Sequence, residues 1–323
     1  MLNLSSQWRH LTTSTVVAIL AALSLSTAYG QGAVEHIIFA SNMDEPRTMA
    51  CYAMFPDGTN VEVIVPATVA GRGEYHPHIS PDGKQIAFTT YRYGGWKIAV
   101  SGLDGSDVRR LTSNPHYVYD ASWSPDASQL VYHKVTTDGP PYFDGDMDIY
   151  VINVDGSGET NLTPSPDGDR TPSFSPDGRK IVFASRRDGN YEIYTMNRDG
   201  SAPTNLTKDD RSDFAGSYAP DGSEIAFLSD RDGRLNLYTM NANGTDIACL
   251  TENTAVSQIK FEFNYSINWN FATDWSADGR RIVFAGPGNG GKNDIFVYDL
   301  GNAALTNLTN SPANDLHPQW ANY

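Results

Sequence analysis

The sequence contains only two cysteines, Cys51 and Cys249, among its 323 residues, which excludes a fold held together by a disulfide framework. Basic residues are also scarce, since 23 Lys and Arg face 38 Asp and Glu and leave a net charge of −15. This acidity argues against nucleic acids and anionic lipid headgroups as partners, because both call for a basic surface. After residue 25, no stretch is apolar enough to cross a membrane.

The first thirty residues have the layout of a secretory signal peptide. A short basic segment precedes an apolar run at residues 16–25, and residues 28–30 match a small-x-small cleavage site. The apolar run is too short to span a bilayer comfortably, although an N-terminal membrane anchor is the alternative. We therefore expect residues 1–30 to be removed and residues 31–323 to form one soluble domain, in the periplasm or outside the cell.

A tetrapeptide of the type Ser-Pro-Asp-Gly recurs along the chain and is the main structural signal. Each copy is followed by an apolar strand such as residues 181–183, then by a second strand, a turn containing Gly and a closing Leu-Thr pair. Proline and Asp favour a tight turn, and Gly takes its positive-φ position. The five copies occupy residues 80–83, 124–127, 175–178, 219–222 and 276–279.

Each repeat therefore holds four short strands, and a unit of roughly 44 to 58 residues with four strands is typical of a propeller blade. Five units are complete. Residues 35–65 supply three strands of a sixth unit, and residues 317–320 end the chain like the first strand of a blade. Pairing these two segments would close the ring and remove its open edges. The sequence predicts an all-β, six-bladed β-propeller with blade 1 built from both termini.

The clearest repeat runs from Thr171-Pro172-Ser173-Phe174 through residues 185–189 to Leu206-Thr207. It resembles the WD-like repeats of TolB-type propellers, which are common in bacterial envelope proteins. The resemblance covers nearly all of residues 31–323 and implies the propeller fold. TolB itself carries an α/β domain before its propeller, and we expect no such domain between Gln31 and blade 1.

The lengths of the connections between strands differ between the two faces of the predicted ring. The turns on one face are short and uniform, whereas the other face carries long insertions at residues 136–147, 252–271 and 286–293. Variable loops on a rigid scaffold are common binding sites. We predict that this variable face binds the ligand or partner, although drift in tolerant surface loops is the alternative.

The first strand of each blade is expected to line the central channel. His76, His78, His317 and Gln319 then fall on the neighbouring blades 1 and 2, and imidazoles with nearby oxygen ligands suit a transition metal. Oligogalacturonate lyases are similar in repeat type and hold a manganese ion with histidines and a glutamine, so this resemblance implies a divalent metal at these four residues. The alternative is channel-lining histidines that bond to water or backbone. The other predicted channel positions are Asp120, Ser122, Thr171, Ser173, Ala215, Ser217, Ala272 and Asp274.

Aromatic residues are frequent in the inner strands, one position before the channel residue nearest the variable face. They are also frequent in the longest insertion. Aromatic faces near carboxylates bind sugars or peptides by stacking and hydrogen bonding. Packing between blades is the alternative for the strand residues, whereas the loop aromatics are harder to bury. The loop aromatics are Phe261, Phe263, Tyr265 and Trp269. The predicted ligand-binding set is Tyr75, His76, Tyr119, Asp120, Arg170, Phe214, Trp269, Phe271 and His317.

Three acidic residues alternate in the blade 3 insertion, at Asp144, Asp146 and Asp148. Oxygen ligands at this spacing suit calcium, but Ile149 stands where an EF-hand-like loop would need Gly. A solvated acidic loop is the alternative.

Together these features predict a monomeric, exported binding or scaffold module for a protein or glycan partner, with no cofactor. A metal-dependent polysaccharide lyase with its site in the channel is the competing hypothesis. The repeat register places Cys51 in the third strand of blade 1 and Cys249 in the outer strand of blade 5. Because blade 6 stands between them, a disulfide is out of reach. We predict two unpaired, buried thiols.

Overall fold

The fold is known from a computed structural model of the chain. It describes residues 34–113, 115–136, 147–164, 167–252, 254, 256, 271–288 and 291–322. Within these residues, no helix has the length and apolar character needed to span a membrane.

The described strands form six sheets of four antiparallel strands, which are the blades of a six-bladed propeller. Blades 1 and 2 contain β1 (Glu35–Ser41), β2 (Ala50–Met54), β3 (Glu62–Val65), β4 (Glu74–Ile79), β5 (Gln85–Thr90), β6 (Lys97–Gly102), β7 (Arg109–Arg110) and, from the C-terminus, β24 (Asp315–Asn322). Blades 3 and 4 contain β8 (Val118–Trp123), β9 (Gln129–Val135), β10 (Met147–Asn153), β11 (Thr160–Asn161), β12 (Asp169–Phe174), β13 (Lys180–Ser185), β14 (Glu192–Asn197) and β15 (Thr204–Asn205). Blades 5 and 6 contain β16 (Asp213–Tyr218), β17 (Glu224–Ser229), β18 (Asn236–Asn241), β19 (Ala248–Cys249), β20 (Thr273–Trp275), β21 (Arg281–Pro287), β22 (Asn293–Asp299) and β23 (Ala304–Asn307).

Blade 1 is assembled from both ends of the described chain, as predicted. The strand β24 is its innermost strand and pairs antiparallel with β1, from Glu35 opposite Asn322 to Ser41 opposite Asp315. This pairing places C-terminal residues beside N-terminal ones and closes the ring. The unpaired strand edges that an open ring would expose at this point are thereby satisfied.

The Ser-Pro-Asp-Gly turns join the first and second strands, and blade 2 shows their mechanism. The Ser80 hydroxyl donates to Asp82 Oδ1 at 2.7 Å, and the Gly83 amide donates to the Ser80 carbonyl at 2.8 Å. Gly83 has a φ of 69°, in the left-handed region where Gly pays no steric cost. In blade 3 the equivalent residue is Ala127, which takes a φ of 56° to make the same turn.

The hydrophobic core lies between neighbouring blades, and the second and third strands supply most of it. The central residues of each second strand are apolar and buried, because β-branched and aromatic side chains fill a pleated surface well. In each of four blades a buried aromatic ring of the second strand stacks on one of the third. These pairs are Phe39–Tyr52, Tyr132–Tyr150, Phe227–Tyr238 and Phe284–Phe296.

Both cysteines are free, as predicted from the repeat register. Cys51 lies in β2, the third strand of blade 1, and is fully buried. Cys249 lies in β19, the outer strand of blade 5, and is only half-buried. The prediction that both thiols are buried was therefore wrong for Cys249, because a two-residue strand at the rim has no further strand to cover it.

Candidate functional site

The inner strands surround a narrow central channel with a cavity volume of about 70 Å³. One water molecule needs about 10–15 Å³ of such a cavity, so this volume has room for several water molecules. The predicted channel positions all line this one cavity. Toward the variable face these are His317, His76, Asp120, Thr171, Ala215 and Ala272, and toward the uniform face Gln319, His78, Ser122, Ser173, Ser217 and Asp274.

The inner strands of five blades carry a β-bulge at the channel position nearer the variable face. A bulge bends the strand and re-aims the bulged side chain. In these five blades the bulged residue adopts a left-handed backbone without being Gly, which costs about 1–3 kcal/mol per residue. The values of φ are 50° for His76, 58° for Asp120, 47° for Thr171, 56° for Ala215 and 52° for His317. The ring of bulges therefore turns one side chain per blade into the channel mouth.

His76 and His317 are in contact at this mouth. Their ring centroids are 3.7 Å apart, and the planes are tilted by 43°. The ring of Tyr75 lies 6.2 Å from His76 and 6.3 Å from His317, measured between centroids. The structure thus brings together two of the histidines that the sequence placed on neighbouring blades.

His78 and Gln319 form a separate pair one level lower in the channel. The amide nitrogen of Gln319 lies 2.9 Å from a ring nitrogen of His78, and its amide oxygen accepts the backbone N–H of Ile79 at 2.9 Å. The imidazole lies half-buried in the channel wall, and burial lowers the pKa of His78 to about 3. His78 is therefore a neutral imidazole held by a neighbouring blade.

The predicted set of His76, His78, His317 and Gln319 is found as two contacting pairs, His76 with His317 and His78 with Gln319. Within the described part of the chain, no group of three or more His, Cys, Asp or Glu side chains is placed to share a metal ion. The observed geometry is one pair of tilted imidazoles in contact and one imidazole bound by an amide.

Two channel carboxyls, Asp120 and Asp274, have pKa values raised to about 7 by burial. Asp274 Oδ2 accepts the backbone N–H of Trp320 at 2.8 Å, which partly offsets the effect of burial on its pKa. The channel wall therefore holds two acids that exchange protons near neutral pH and one imidazole that does not. Such raised carboxyl pKa values are frequent at functional sites.

An aromatic cluster covers the variable face of blades 2 and 3 beside the histidine pair. We define this aromatic cluster as Tyr75, Tyr91, Trp96, Tyr117 and Tyr119, all of them half-buried. The Trp96 ring lies 5.2 Å from Tyr75, 5.1 Å from Tyr91 and 6.1 Å from Tyr119, measured between centroids. Edge-to-face contacts of this kind order the rings without covering them completely.

Basic groups border the aromatic cluster. The exposed guanidinium of Arg72 lies 5.0 Å above the Tyr91 ring, and the Lys97 ammonium lies 5.8 Å from the Tyr117 ring. Burial lowers the pKa of Lys97, whose ammonium group donates to the His116 carbonyl at 2.9 Å. In a chain of net charge −15, this is a local concentration of aromatic and cationic groups.

Other predicted ligand-binding residues lie in the interior. Phe214 and Phe271 are 5% and 4% exposed, and their rings pack on each other with centroids 5.6 Å apart. Arg170 is 2% exposed, with its guanidinium 5.7 Å from the Tyr191 ring centroid. The two phenylalanines pack between blades, and Phe271 also lines the channel cavity. The predicted residues Phe261, Phe263, Tyr265, Trp269, Asp144 and Asp146 lie outside the described residues.

Sequence reasoning missed the largest part of the aromatic cluster, namely Tyr91, Trp96 and Tyr117. A signal was present, because a six-residue connection between the second and third strands of blade 2 contains three aromatic residues. Its Gly95 faces Tyr117, and a Cβ there would come within 3.1 Å of that ring. A search for aromatic residues in short connections of the variable face would have found these residues.

A ring of six four-stranded blades around a narrow polar channel, closed by pairing of the chain ends, defines a six-bladed β-propeller. Its sequence matches the TolB beta propeller domain over residues 36–211 and 169–264. The chain therefore belongs to the TolB beta-propeller family.

Two curated relatives are named protein TolB homolog. The one from Chlorobium chlorochromatii is 29% identical over 151 residues, which are 47% of this chain and 31% of the relative. The one from Chlorobium luteolum is 32% identical over 111 residues, which are 34% of this chain and 23% of the relative. The matched regions thus span less than a third of either relative.

Solved structures share the fold at low sequence identity. TolB from Acinetobacter baumannii has a TM-score of 0.71 at 17% identity, over 93% of this chain and 70% of that chain. An oligogalacturonate lyase in complex with manganese has a TM-score of 0.59 at 14% identity, over 84% of this chain and 73% of that chain. At these identities the likeness concerns the propeller scaffold, which hosts many unrelated functions.

Proposed function

We propose that this chain is a binding or scaffold module of the cell envelope that captures a protein or glycan partner on its variable face. The aromatic cluster beside the channel mouth is the observation that carries the proposal. Half-buried aromatic rings offer flat apolar faces to sugar rings or to peptide side chains, and nearby polar groups supply hydrogen bonds. The rigid propeller holds these rings in place, which lowers the entropic cost of binding.

The channel mouth extends the proposed binding surface. His76, Asp120 and His317 present polar groups next to Tyr75 and Tyr119. The cavity itself holds about 70 Å³, so a single side chain or an exocyclic group enters it but a sugar ring does not. The partner therefore lies across the mouth, with its apolar faces on the aromatic cluster.

The proposed location is the periplasm or the cell exterior, with residues 1–30 as a cleaved signal peptide. The membership in the TolB beta-propeller family supports an envelope setting. Subcellular fractionation and the intact mass of the purified protein test this location. A cytoplasmic protein that keeps residues 1–30 would contradict it.

The test of the binding function compares two faces of the same propeller. A glycan array and crosslinking to envelope proteins would first supply a binder. The W96A/Y117A variant should then weaken binding about tenfold or more, because each stacked ring contributes about 0.5–1.5 kcal/mol beyond its buried area. The matched control is L300A, which removes an exposed apolar side chain in a turn on the uniform face.

Both variants must keep the melting temperature within a few degrees of the parent for the comparison to count. Loss of binding in L300A together with full binding in W96A/Y117A would assign the partner to the opposite face. Equal binding by all three proteins would remove the aromatic cluster from the binding surface.

The competing proposal is a metal-dependent polysaccharide lyase with its site in the channel. The contact between His76 and His317 favours it, since two imidazoles stand at one mouth. The engagement of His78 with Gln319 weighs against it, because the proposed ligands would have to separate first. Metal analysis of the purified protein distinguishes the two proposals. Stoichiometric manganese, iron or zinc that is lost in H76A/H317A supports the lyase.

A further inference from the structure

Three blades carry the same buried ion pair at the start of the inner strand. An Arg in the connection after the second strand reaches back to a fully buried carboxylate and, through Nε, to a hydroxyl at the end of the second strand. The carboxylate contacts are Arg92–Glu74 at 2.8 Å, Arg187–Asp169 at 3.2 Å and Arg231–Asp213 at 2.9 Å. The hydroxyl contacts are Arg92 to Thr90 at 3.1 Å, Arg187 to Ser185 at 2.8 Å and Arg231 to Ser229 at 3.0 Å.

Blade 1 keeps both acceptors of this motif but lacks the guanidinium. Asp315 lies opposite Ser41 in the strand register, as Asp213 lies opposite Ser229 in blade 5. Met43 follows Ser41 by two residues and therefore takes the place of the Arg. Asp315 and Ser41 are fully buried, whereas the Met43 side chain is exposed.

A second buried carboxylate stands beside Asp315. Asp294, at the start of β22 in blade 6, is 1% exposed. The Asn293 backbone N–H donates to Asn314 Oδ1 at 3.0 Å, which joins the residues that directly precede Asp294 and Asp315. Burial raises the pKa of Asp315, hydroxyl hydrogen bonds oppose this shift, and the charge of Asp294 adds to it. Oδ2 of Asp294 accepts from the Asn307 amide at 2.7 Å, and Oδ2 of Asp315 accepts from the Ser311 hydroxyl at 3.1 Å. Within the described part of the chain, Oδ1 of each carboxylate has no hydrogen-bond partner, and neither carboxylate forms an ion pair.

The junction between blades 4 and 5 shows how the same arrangement is balanced elsewhere in the ring. There Glu192 occupies the position of Asp294. Burial raises the pKa of Glu192, and the nearby charge of Asp213 raises it further. The guanidinium of Arg231 binds both oxygens of Asp213, at 3.0 and 2.9 Å. Two buried carboxylates without such a cation are costly, because charge in a low-dielectric interior needs a partner.

We propose that the carboxylates of Asp294 and Asp315, with the hydroxyls of Ser41 and Ser311, form a binding site for a calcium ion at the junction of blades 6 and 1. The donor set consists of oxygen atoms alone, which selects a hard cation over zinc or copper. The described residues supply only two acidic ligands at this point, so hydroxyl groups and water complete the coordination. The ion replaces the guanidinium of the other blades.

The position of this site gives the ion a role in ring closure. Asp294 belongs to blade 6 and Asp315 to β24, the C-terminal strand that completes blade 1. An ion between them ties the closing blade to its neighbour. Binding to the folded state alone raises stability by mass action, so the melting temperature should depend on the calcium concentration.

The test uses the full chain after treatment with chelator. Addition of calcium chloride at about 100 times its dissociation constant should raise the melting temperature by about 5 °C or more, and magnesium chloride should raise it less. Calorimetric titration with calcium should find one site per chain. An unchanged melting temperature together with no calorimetric site would overturn the proposal.

Two variants and one control test whether the ion binds at this junction. M43R should supply the missing guanidinium, keep the fold without calcium and lose the calcium-dependent shift. D294N, a second variant in case the arginine disturbs the loop, should lose the same shift. The matched control D213N removes an Arg-paired carboxylate, so it should lower the melting temperature equally with and without calcium. A full calcium response in both M43R and D294N would move the ion elsewhere and overturn the assignment.

Discussion

Gln319 joins the last strand of the chain to blade 2, because its side-chain amide engages both the His78 imidazole and the backbone N–H of Ile79. The two side chains are far apart in sequence and meet only because β24 has become the inner strand of blade 1. This contact therefore depends on closure of the ring and on the neutral state of the His78 imidazole.

Removal of β24 should open the ring. Deletion of residues 315–323 exposes the inner edge of β1 and removes the buried side chains of Leu316 and Trp320, which are 1% and 6% exposed. Their burial contributes about 5 kcal/mol, so we expect the melting temperature to fall by about 10 °C or more. Removal of Tyr323 alone is the control. A deletion variant that melts like the parent would contradict closure by the C-terminal strand.

Replacement of Gln319 by Ala should leave a ring nitrogen of His78 and the Ile79 amide without their partner. The free energy of unfolding should fall by about 1–3 kcal/mol in denaturant titration, as expected when buried polar groups lose hydrogen bonds. Q85A is the matched control, because it truncates a half-buried Gln on a neighbouring strand of blade 2. An equal loss of unfolding free energy in the two variants would show that the contact with His78 adds nothing to stability beyond the loss of a half-buried side chain.

The channel carboxyls should make stability depend on pH. Asp120 and Asp274 have folded-state pKa values of about 7, above the ordinary value for unfolded Asp of about 3.9. Between these values the folded state binds more protons, so their contribution to stability falls as pH rises from about 4 to about 7 and then stays constant.

The D120N/D274N variant should lack this component, and denaturant unfolding at a series of pH values measures it. His78 acts in the opposite direction, because its folded-state pKa of about 3 lies below that of unfolded His. Its contribution is complete above about pH 6.5 and is lost as pH falls toward 3. A parent and a double variant with identical pH profiles would contradict the raised carboxyl pKa values.

The two thiols should react at different rates. Burial raises the pKa of Cys51 well above its ordinary value, and it also raises the pKa of the half-buried Cys249. We expect a thiol reagent to modify Cys249 slowly in the native protein and Cys51 only after unfolding. Thiol titration in denaturant without reductant should find two groups per chain, and C249S should show none in the native state. An intramolecular disulfide found by mass spectrometry would contradict the blade order.

The sequence by itself determined the architecture. The number of blades, the tight turns and the closure by both termini followed from a repeated pattern whose chemistry is local, since Pro, Asp and Gly act within four residues. The same register predicted which side chains line the channel, because strand residues alternate between faces. The repeat register alone assigns residues such as His76, Asp120 and Gln319 to the channel wall, and they line the channel in the structure.

Only the tertiary structure decided which of these residues meet. The pairing of Gln319 with His78, the packing of Trp96 on Tyr75 and Tyr119, and the placement of Asp294 beside Asp315 join side chains from separate strands and connections, most of them on different blades. A repeat gives each blade its internal register but not the rotamers and distances across the gap to the next blade. Those depend on the packing of unlike side chains between sheets, which no local pattern encodes.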